Sequence, residues 1–220
     1  MDGVGIFGGT FDPIHLGHLR AAEEVREAQG LDEMRLVPAA VPPHKQRRGV
    51  TDAEHRRRMA ELAVEGAPGF RVSTLELDRP GPSYTIDTLR TLRAELGPEA
   101  RLVFTLGYDA FRDFHTWKEH AGIFTLCDVV VVTRPPWPTA LTREDIPAAA
   151  RAAFSAGPDR ESFRHRSGHA LRLQAIAGLD ISAADIRARV AAGRSIRFLV
   201  PSAVESYIAA HGLYRRTEAH

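Results

Sequence analysis

Short apolar runs recur along the chain and alternate with segments whose apolar residues are three or four positions apart. The run from Val129 to Val132 is uninterrupted, which is typical of a strand that is covered on both faces of a sheet. Runs of this kind predict strands at residues 3–7, 34–38, 70–77, 101–106, 128–133 and 170–175.

The segments between these runs have the period of amphipathic helices. Residues 17–29 place apolar side chains on one face and charged ones on the other, and residues 85–96 repeat the pattern. A third helix is predicted at residues 52–65, where Thr51 and Glu54 have the spacing of a capping box. Because strands and helices alternate, the predicted fold is α/β: a Rossmann-like, doubly wound parallel sheet followed by C-terminal helices.

The length of 220 residues, with 44% hydrophobic content, suits a single domain over residues 1–220. No internal repeat is visible. The least regular part is residues 134–169, which is rich in proline and then in alanine and arginine. We interpret it as an excursion made of a loop, one helix and a second loop.

Charge and cysteine content narrow the class of protein. There are 29 Lys and Arg against 28 Asp and Glu, which argues against a nucleic-acid partner bound through a broad basic face. The single cysteine, Cys127, excludes an intrachain disulfide framework and fits a reducing compartment. No signal-type segment and no apolar stretch of ~18–20 residues is present, so we expect a cytoplasmic protein without a membrane partner. The oligomeric state is left open, a homo-oligomer included.

The most specific string is GIFGGTFDPIHLGH at residues 5–18. Gly8 and Gly9 let a ligand approach the backbone, and the following helix start offers unpaired N–H groups at the positive end of its dipole. His15 and His18 are three residues apart, so both side chains can reach one ligand. The string therefore predicts a phosphate site. Two metal ligands on a helix are the alternative for the histidines, but no third ligand lies nearby in helical register.

A second candidate anion site lies at residues 181–190, which read ISAADIRARV. Ser182 has the position of a helix cap, Asp185 that of the third helical residue, and Arg187 follows in the second turn. A guanidinium there can turn back toward an anion at the helix start, since arginine binds phosphate through paired donors. The segment is interpreted both as a well-capped helix and as a second phosphate-binding element.

Further segments carry basic, polar or aromatic residues beside predicted strand ends and helix starts. They are PPHK at 42–45, SYT at 83–85, GYD at 107–109 with Trp117 downstream, and Arg134 after the strand at 128–133. Two prolines stiffen the first of these loops, and the helix start at Thr85 supplies N–H groups. Taken singly, each segment is also compatible with a solvated loop or with core packing.

Together these strings identify a family. Residues 8–18 resemble the GGxFDPxHxGH signature of nucleotidyltransferases, and residues 181–187 resemble their ISxTxIR motif, with Ala184 in place of the usual threonine. PPHK, SYTIDTL, GYDAF, VVVTRP and the C-terminal PSAVESYIAAHGLY follow in order, so the chain resembles bacterial nicotinate-nucleotide adenylyltransferases nearly end to end. The resemblance implies transfer of AMP from ATP to nicotinate mononucleotide with Mg²⁺, giving deamido-NAD and pyrophosphate in NAD biosynthesis.

The resemblance also implies roles for individual residues. It implies that the catalytic residues are Thr10, His15, His18 and Arg187. Those it assigns to ATP are Gly8, Gly9, Thr10, Phe11, His15, Gly17, His18, Gly107, Asp109, Ile181, Ser182 and Arg187. Those it assigns to the acceptor are His44, Lys45, Thr85, Trp117 and Arg134. It places Trp117 on the nicotinate ring and Thr85 by the carboxylate of that ring. From the electrostatic needs of the transfer, we expect His18 at the α-phosphate and His15 at the triphosphate. No residue is expected to ligate a metal, and the threonine contact at position 184 is missing or supplied elsewhere.

The ring substituent of the acceptor gives a further expectation. A nicotinate carboxylate only accepts hydrogen bonds, whereas a nicotinamide amide also donates them. No Asp or Glu occurs in residues 83–86 or 115–118, so the predicted ring site favours the acid.

Three alternatives stay open at this point. The first is an adenylyltransferase for another phosphorylated acceptor, such as nicotinamide mononucleotide or phosphopantetheine. The second is an amino-acid-activating ligase, whose HIGH motif resembles HLGH, although its lysine-rich KMSKS loop is missing here. The third is a nucleotide-sensing module without turnover, which the presence of both histidines disfavours.

Overall fold

A computed structural model describes residues 3–41, 49–134, 138–159 and 162–215. The strands are β1 Gly3–Gly9, β2 Glu33–Pro38, β3 Phe70–Val72, β4 Arg101–Gly107, β5 Asp128–Thr133, β6 Phe154–Ala156, β7 Ser162–His165 and β8 Ala170–Ala175. The helices are α1 Leu16–Ala28, α2 Ala53–Val64, α3 Thr85–Leu96, α4 Tyr108–Arg112, α5 His120–Ile123, α6 Ala148–Arg151, α7 Ala183–Ala191 and α8 Ser202–Ala210. Within these ranges no helix has the length and apolar character needed to cross a bilayer.

All eight strands form one sheet in the order β3-β2-β1-β4-β5-β8-β7-β6. The first six strands in this order are parallel, and β7 and β6 continue the sheet in antiparallel pairing. The strand order reverses direction between β1 and β4, which lie side by side with Ile6 opposite Phe104. In a sheet of this kind ligands bind beyond the carboxyl ends of the strands at the point of reversal, so the site is expected there.

The apolar core lies in two layers, one on each face of the sheet. Val129 and Val131 of β5 pack into one layer, and Val130 and Val132 into the other. Val129, Val130 and Val131 have no solvent-exposed area, so each contributes roughly 1.5–3 kcal/mol through burial. The uninterrupted valine run is thus explained by a central strand with helices on both faces, and the predicted α/β fold class is confirmed.

Two predicted elements have different bounds in the structure. The strand predicted at residues 70–77 ends at Val72, because the N–H groups of Leu77 and Asp78 turn back to the Thr74 carbonyl oxygen. The second helix is capped by Asp52 rather than Thr51, with the Asp52 carboxylate accepting the Glu54 N–H at 2.8 Å.

The interpretation of residues 134–169 as two loops and one helix is wrong in its second half. Besides the short helix α6, this stretch contains β6 and β7, which pair antiparallel and extend the sheet. The two strands have only three and four residues, too few for a period of two to be recognised. They form because β7 pairs with the long strand β8, which offers its open edge.

Candidate active site

Two adjoining cavities open at the carboxyl ends of β1 and β4, and Phe7 and Gly107 line both of them. The larger, of about 580 Å³, is called the polar cavity, and its polar and glycine lining comprises His15, Gly17, His18, Asp109, Thr133, Arg134, Gly178, Ser182 and Arg187. The smaller, of about 300 Å³, is called the apolar cavity and is lined by Gly8, Gly9, Thr10, Ala39, Glu76, Ser83, Tyr84, Thr85, Phe104, Leu106, Ala110, Trp117 and Lys118. Both lie at the reversal point of the strand order.

The two histidines of the glycine-rich string form the cap of helix α1. His15 is the N-cap residue, and its Nδ1 accepts the His18 N–H at 3.3 Å, while His18 Nδ1 accepts the His15 N–H at 3.3 Å. The rings stack with their centres 3.5 Å apart. A side chain at Gly17 would bring its Cβ to 3.0 Å from His15 Nδ1, so glycine leaves room for this arrangement. The spacing of three is thus explained by a capping box as well as by a shared ligand.

The capping bonds fix the tautomer of the neutral His15 ring. A nitrogen that accepts a hydrogen bond carries no proton, so neutral His15 carries its proton on Nε2. Burial, and then the positive charge of Arg134, lower the pKa of His15 to about 4. His15 is therefore neutral at pH 7 and can act on a phosphate as a hydrogen-bond donor rather than as a cation.

The positive charge of the polar cavity comes from arginines on two other segments. Arg134, at the end of β5, donates from Nη1 to the Leu179 carbonyl oxygen at 2.6 Å. Arg187, in α7, donates from Nη1 to the Asp12 carbonyl oxygen at 2.6 Å. The start of α7 lies on the same cavity, capped by Ser182, whose hydroxyl accepts the Asp185 N–H at 3.0 Å. Two arginines and two helix starts make this cavity suitable for a polyanion.

A buried arginine donates a hydrogen bond to the loop between β1 and α1. Arg56 of α2 is 1% exposed and donates to the carbonyl oxygens of Thr10, Ala39 and Ala40. It also donates to the carbonyl oxygen of Thr51 at 2.8 Å. Burial lowers the pKa of Arg56, but the cation keeps four backbone acceptors and so joins the β1–α1 loop to both ends of the β2–α2 connection. No sequence pattern had pointed to this residue.

The apolar cavity is walled by aromatic side chains and by the start of α3. Trp117 contacts the core, with its ring centre 6.2 Å from that of Phe104 and 5.1 Å from that of Phe114, and it also lines the cavity. Thr85 is the first residue of α3, so the unpaired N–H groups of this helix lie at the wall. Lys118 lines the same wall and pairs with Asp87 at 2.9 Å.

A buried carboxyl in the apolar cavity changes the argument about the ring substituent. Glu76 is 8% exposed and accepts a hydrogen bond from the Thr88 hydroxyl at 2.7 Å. Burial raises the pKa of Glu76, opposed by hydrogen bonds from Thr88 and Ser83 and by the charge of Arg79. The argument from sequence considered only residues 83–86 and 115–118, which contain no acidic side chain. In the structure the turn after β3 brings Glu76 to the wall of the apolar cavity.

The structure brings most of the predicted site residues to these two cavities. On the polar cavity lie His15, Gly17, His18, Gly107, Asp109, Arg134, Ile181, Ser182 and Arg187. On the apolar cavity lie Gly8, Gly9, Thr10, Thr85, Gly107 and Trp117. Phe11 lines neither: it is 2% exposed, has φ 50° and packs in the core, where a Cβ at Gly9 would meet its ring at 2.7 Å. His44 and Lys45 fall outside the described residues, and Ala184 lines the polar cavity without a hydroxyl.

Comparisons with known proteins agree with this picture. Residues 6–189 match the family model described as cytidylyltransferase-like. A protein of Geobacter sp. strain M21, named "probable nicotinate-nucleotide adenylyltransferase", is 47% identical over 96% of this chain and 97% of its own length. A protein of the same name from Symbiobacterium thermophilum is 43% identical over 100% and 99%.

This chain belongs to the nicotinate-nucleotide adenylyltransferase family. The predicted family and enzyme class are thereby confirmed. Among solved structures, the nicotinic acid mononucleotide adenylyltransferase of Plasmodium falciparum complexed with NaAD superposes with a TM-score of 0.72 at 19% identity. The superposition covers 97% of this chain and 98% of that one, and at this identity it shows that the fold is that of an adenylyltransferase of this family.

Proposed function

We propose that the protein transfers the adenylyl group of ATP to nicotinate mononucleotide and releases pyrophosphate. The phosphate oxygen of the mononucleotide attacks the α-phosphorus, a new P–O–P bond forms, and the bond from the α-phosphorus to the leaving pyrophosphate oxygen breaks. The observation that carries the proposal is the pair of adjoining cavities, one basic and one aromatic, which share Phe7 and Gly107. The full-length relatives carry the name of this activity.

The acceptor phosphate needs no base to become a nucleophile. Its second pKa is near ~6, so it is a dianion at neutral pH and no covalent enzyme intermediate is required. The enzyme has to bring two anions together and stabilise the charge that moves to pyrophosphate. Arg134, Arg187 and the starts of α1 and α7 supply the positive potential for this task.

The histidines supply directed hydrogen bonds in the same cavity. With Nδ1 of His15 used in the helix cap, its Nε2–H is the donor proposed for a phosphate oxygen. His18 is assigned to the α-phosphate and His15 to the triphosphate. A stacked pair of rings held by two capping bonds needs little reorganisation when charge develops, which is the property that electrostatic catalysis uses.

Mg²⁺ is proposed as the metal of the reaction. Among the residues that the structure describes, no group of three or more His, Cys, Asp or Glu side chains is placed to hold a metal ion. The described residues therefore fit a Mg²⁺ ion that is coordinated by the nucleotide phosphates and lies beside the arginines of the polar cavity. Such an ion neutralises triphosphate charge.

The nicotinate ring is assigned to the apolar cavity. Trp117 offers an aromatic face, and the N–H groups at the start of α3 offer donors to a ring carboxylate. Glu76 is the observation that favours nicotinamide mononucleotide as a second acceptor, because an ionised carboxylate accepts from an amide NH₂. A protonated Glu76 would instead donate to the acid.

The test of the proposal is release of pyrophosphate from ATP with nicotinate mononucleotide, nicotinamide mononucleotide or phosphopantetheine as acceptor. We expect the nicotinate compound to give the highest kcat/KM and deamido-NAD as product. EDTA should abolish turnover, and added Mg²⁺ should restore it. ATP binding without pyrophosphate release for any acceptor would favour the nucleotide-sensing alternative instead. The cytoplasmic location stays a prediction.

A further inference from the structure

The carboxylate of Asp12 is almost fully buried beside the glycine-rich string but lines neither cavity. It is 5% exposed, and both of its oxygens accept hydrogen bonds: Oδ1 from the Tyr214 hydroxyl at 2.7 Å, and Oδ2 from the Thr51 N–H at 3.2 Å. The carbonyl oxygen of the same residue accepts Nη1 of Arg187 at 2.6 Å. One residue therefore joins the C-terminal segment to an arginine of the polar cavity.

Tyr214 is held in place independently of Asp12. It follows α8 and packs against the apolar layer that contains Phe11 and Ile208. The preceding N–H, of Leu213, donates to the Ile208 carbonyl oxygen at 3.1 Å. Burial and the neighbouring Asp12 raise the pKa of the Tyr214 hydroxyl, so that it remains a hydrogen-bond donor at neutral pH.

The loop that carries Asp12 is the connection between β1 and α1. Phe11 in this loop has φ 50°, a region that residues other than glycine adopt rarely, so neighbouring contacts must hold it. Arg56 holds one end of the loop at the Thr10 carbonyl oxygen, 2.8 Å away. The Tyr214 hydroxyl holds the other end, just before the His15 cap.

We propose that Tyr214 is a positioning residue for the triphosphate half of the site. Its hydroxyl fixes Asp12, and Asp12 in turn fixes the guanidinium of Arg187 and the loop that leads into the His15–His18 cap. The C-terminal HGLY segment thus contributes to catalysis without touching the substrate. The inference rests on the proposed function, because it concerns ATP in that reaction.

The experiment is Tyr214→Phe, which keeps the ring and removes only the hydroxyl. We expect kcat/KM for ATP to fall about tenfold, the scale of one hydrogen bond to a charged group, with KM for nicotinate mononucleotide within twofold. The matched control is Tyr207→Phe, since the Tyr207 hydroxyl also makes one hydrogen bond, to His55 Nδ1 at 2.9 Å, but outside the loop. The control should keep wild-type kinetics, and thermal unfolding of both variants corrects for stability.

A double-mutant cycle separates positioning from general weakening. In the Arg187→Ala background, Tyr214→Phe should lower kcat/KM for ATP by a smaller factor than in wild type, because the arginine that the hydroxyl positions is gone. Equal losses in both backgrounds, unchanged ATP kinetics in Tyr214→Phe, or the same loss in Tyr207→Phe would overturn the proposal. A wild-type protein without any adenylyl transfer would overturn the proposed function instead.

Amide hydrogen exchange of the wild-type protein tests the same link without a variant. ATP should slow exchange at the Leu213 N–H, and nicotinate mononucleotide alone should not. Exchange at this amide that ATP leaves unchanged would contradict the proposal, even if Tyr214→Phe failed to fold.

Discussion

The two cavities at the end of β1 differ in how the chain builds them. The polar cavity takes half of its polar side chains from two short strings, residues 15–18 and 178–187, each at the start of a helix. The apolar cavity takes its wall from β1, β4, the turn after β3, the start of α3 and the segment at 117–118. A site for phosphates is local because helix starts provide donors in consecutive residues. A site for a flat ring is assembled from side chains that are distant in sequence, because no fixed sequence spacing is needed to bring aromatic side chains to one wall.

The largest expected effect falls on the polar cavity. His18→Ala should lower kcat by at least ~10²-fold, since it removes a donor assigned to the transition state. It also removes the acceptor for the His15 N–H, so a loss of the cap has to be separated from a loss of chemistry.

His18→Gln is the matched control, because glutamine at this position keeps a capping box. We expect it to restore thermal stability but not kcat. Recovery of activity to within a few-fold of wild type would mean that His18 acts only as a cap.

The next effect separates the apolar cavity from the polar one. Trp117→Ala should raise KM for the pyridine nucleotide about 5- to 150-fold, the range for an aromatic stack of ~1–3 kcal/mol, and leave KM for ATP nearly unchanged. Steady-state kinetics with each substrate varied in turn measures this split.

Trp117→Phe keeps an aromatic face and serves as the control, with an expected change of only a few-fold. Because Trp117 also contacts Phe104 and Phe114, thermal unfolding is measured alongside. An equal rise in both KM values would show that the residue supports the fold rather than one cavity.

A third prediction concerns the neutral state of His15. The folded protein holds its pKa near 4, against 6.5 in the unfolded chain, so stability is full above pH 6.5 and is lost as the pH falls toward 4. Between pH 7.5 and 4.5 this group should lower the free energy of unfolding by about 2 kcal/mol.

Urea unfolding at these two pH values measures the loss in wild type and in His15→Asn. Asparagine keeps the N-cap acceptor but does not titrate. The variant should therefore lose about 2 kcal/mol less unfolding free energy than wild type between the two pH values. Equal losses in the two proteins would show that His15 titrates normally and contributes charge to the polar cavity.

The smallest expected effect is the choice of acceptor. When Glu76 is protonated, kcat/KM for nicotinate mononucleotide should exceed that for nicotinamide mononucleotide by at least ~10-fold, since the amide donor then lacks an acceptor and an unpaired donor costs ~1–3 kcal/mol. The ratio should fall as the pH rises, because ionised Glu76 repels the acid and accepts from the amide.

Both acceptors carry the same phosphate, so its titration cancels in the ratio. In Glu76→Gln the ratio should not change with pH. A ratio near one at every pH would describe an enzyme of dual specificity. A wild-type ratio that does not change with pH would show that Glu76 does not contact the ring substituent.

The same contrast explains how much could be predicted from sequence. The strands around the reversal point, the cap at Ser182 and the helix starts of both strings were predictable, because each depends on a pattern within about ten residues. Glu76 was not, because a strand drawn through residue 77 leaves it on the sheet, whereas the observed turn at Thr74 places it in the cavity wall. Arg56 donates its hydrogen bonds, among the residues that the structure describes, to backbone oxygens, and a backbone acceptor cannot be recognised from the sequence.

The hairpin that was mistaken for a loop has a consequence for how copies of the protein behave in concentrated solution. Both outermost strands of the eight-stranded sheet, β3 and β6, are only three residues long. A long free edge would offer a template on which another chain could add a strand, the route to aggregates and fibres. Because β7 and β6 shorten step by step beyond β8, the sheet ends in strands too short for stable pairing with a neighbour. Among the described residues, the sheet thus ends on both sides in a strand of three residues.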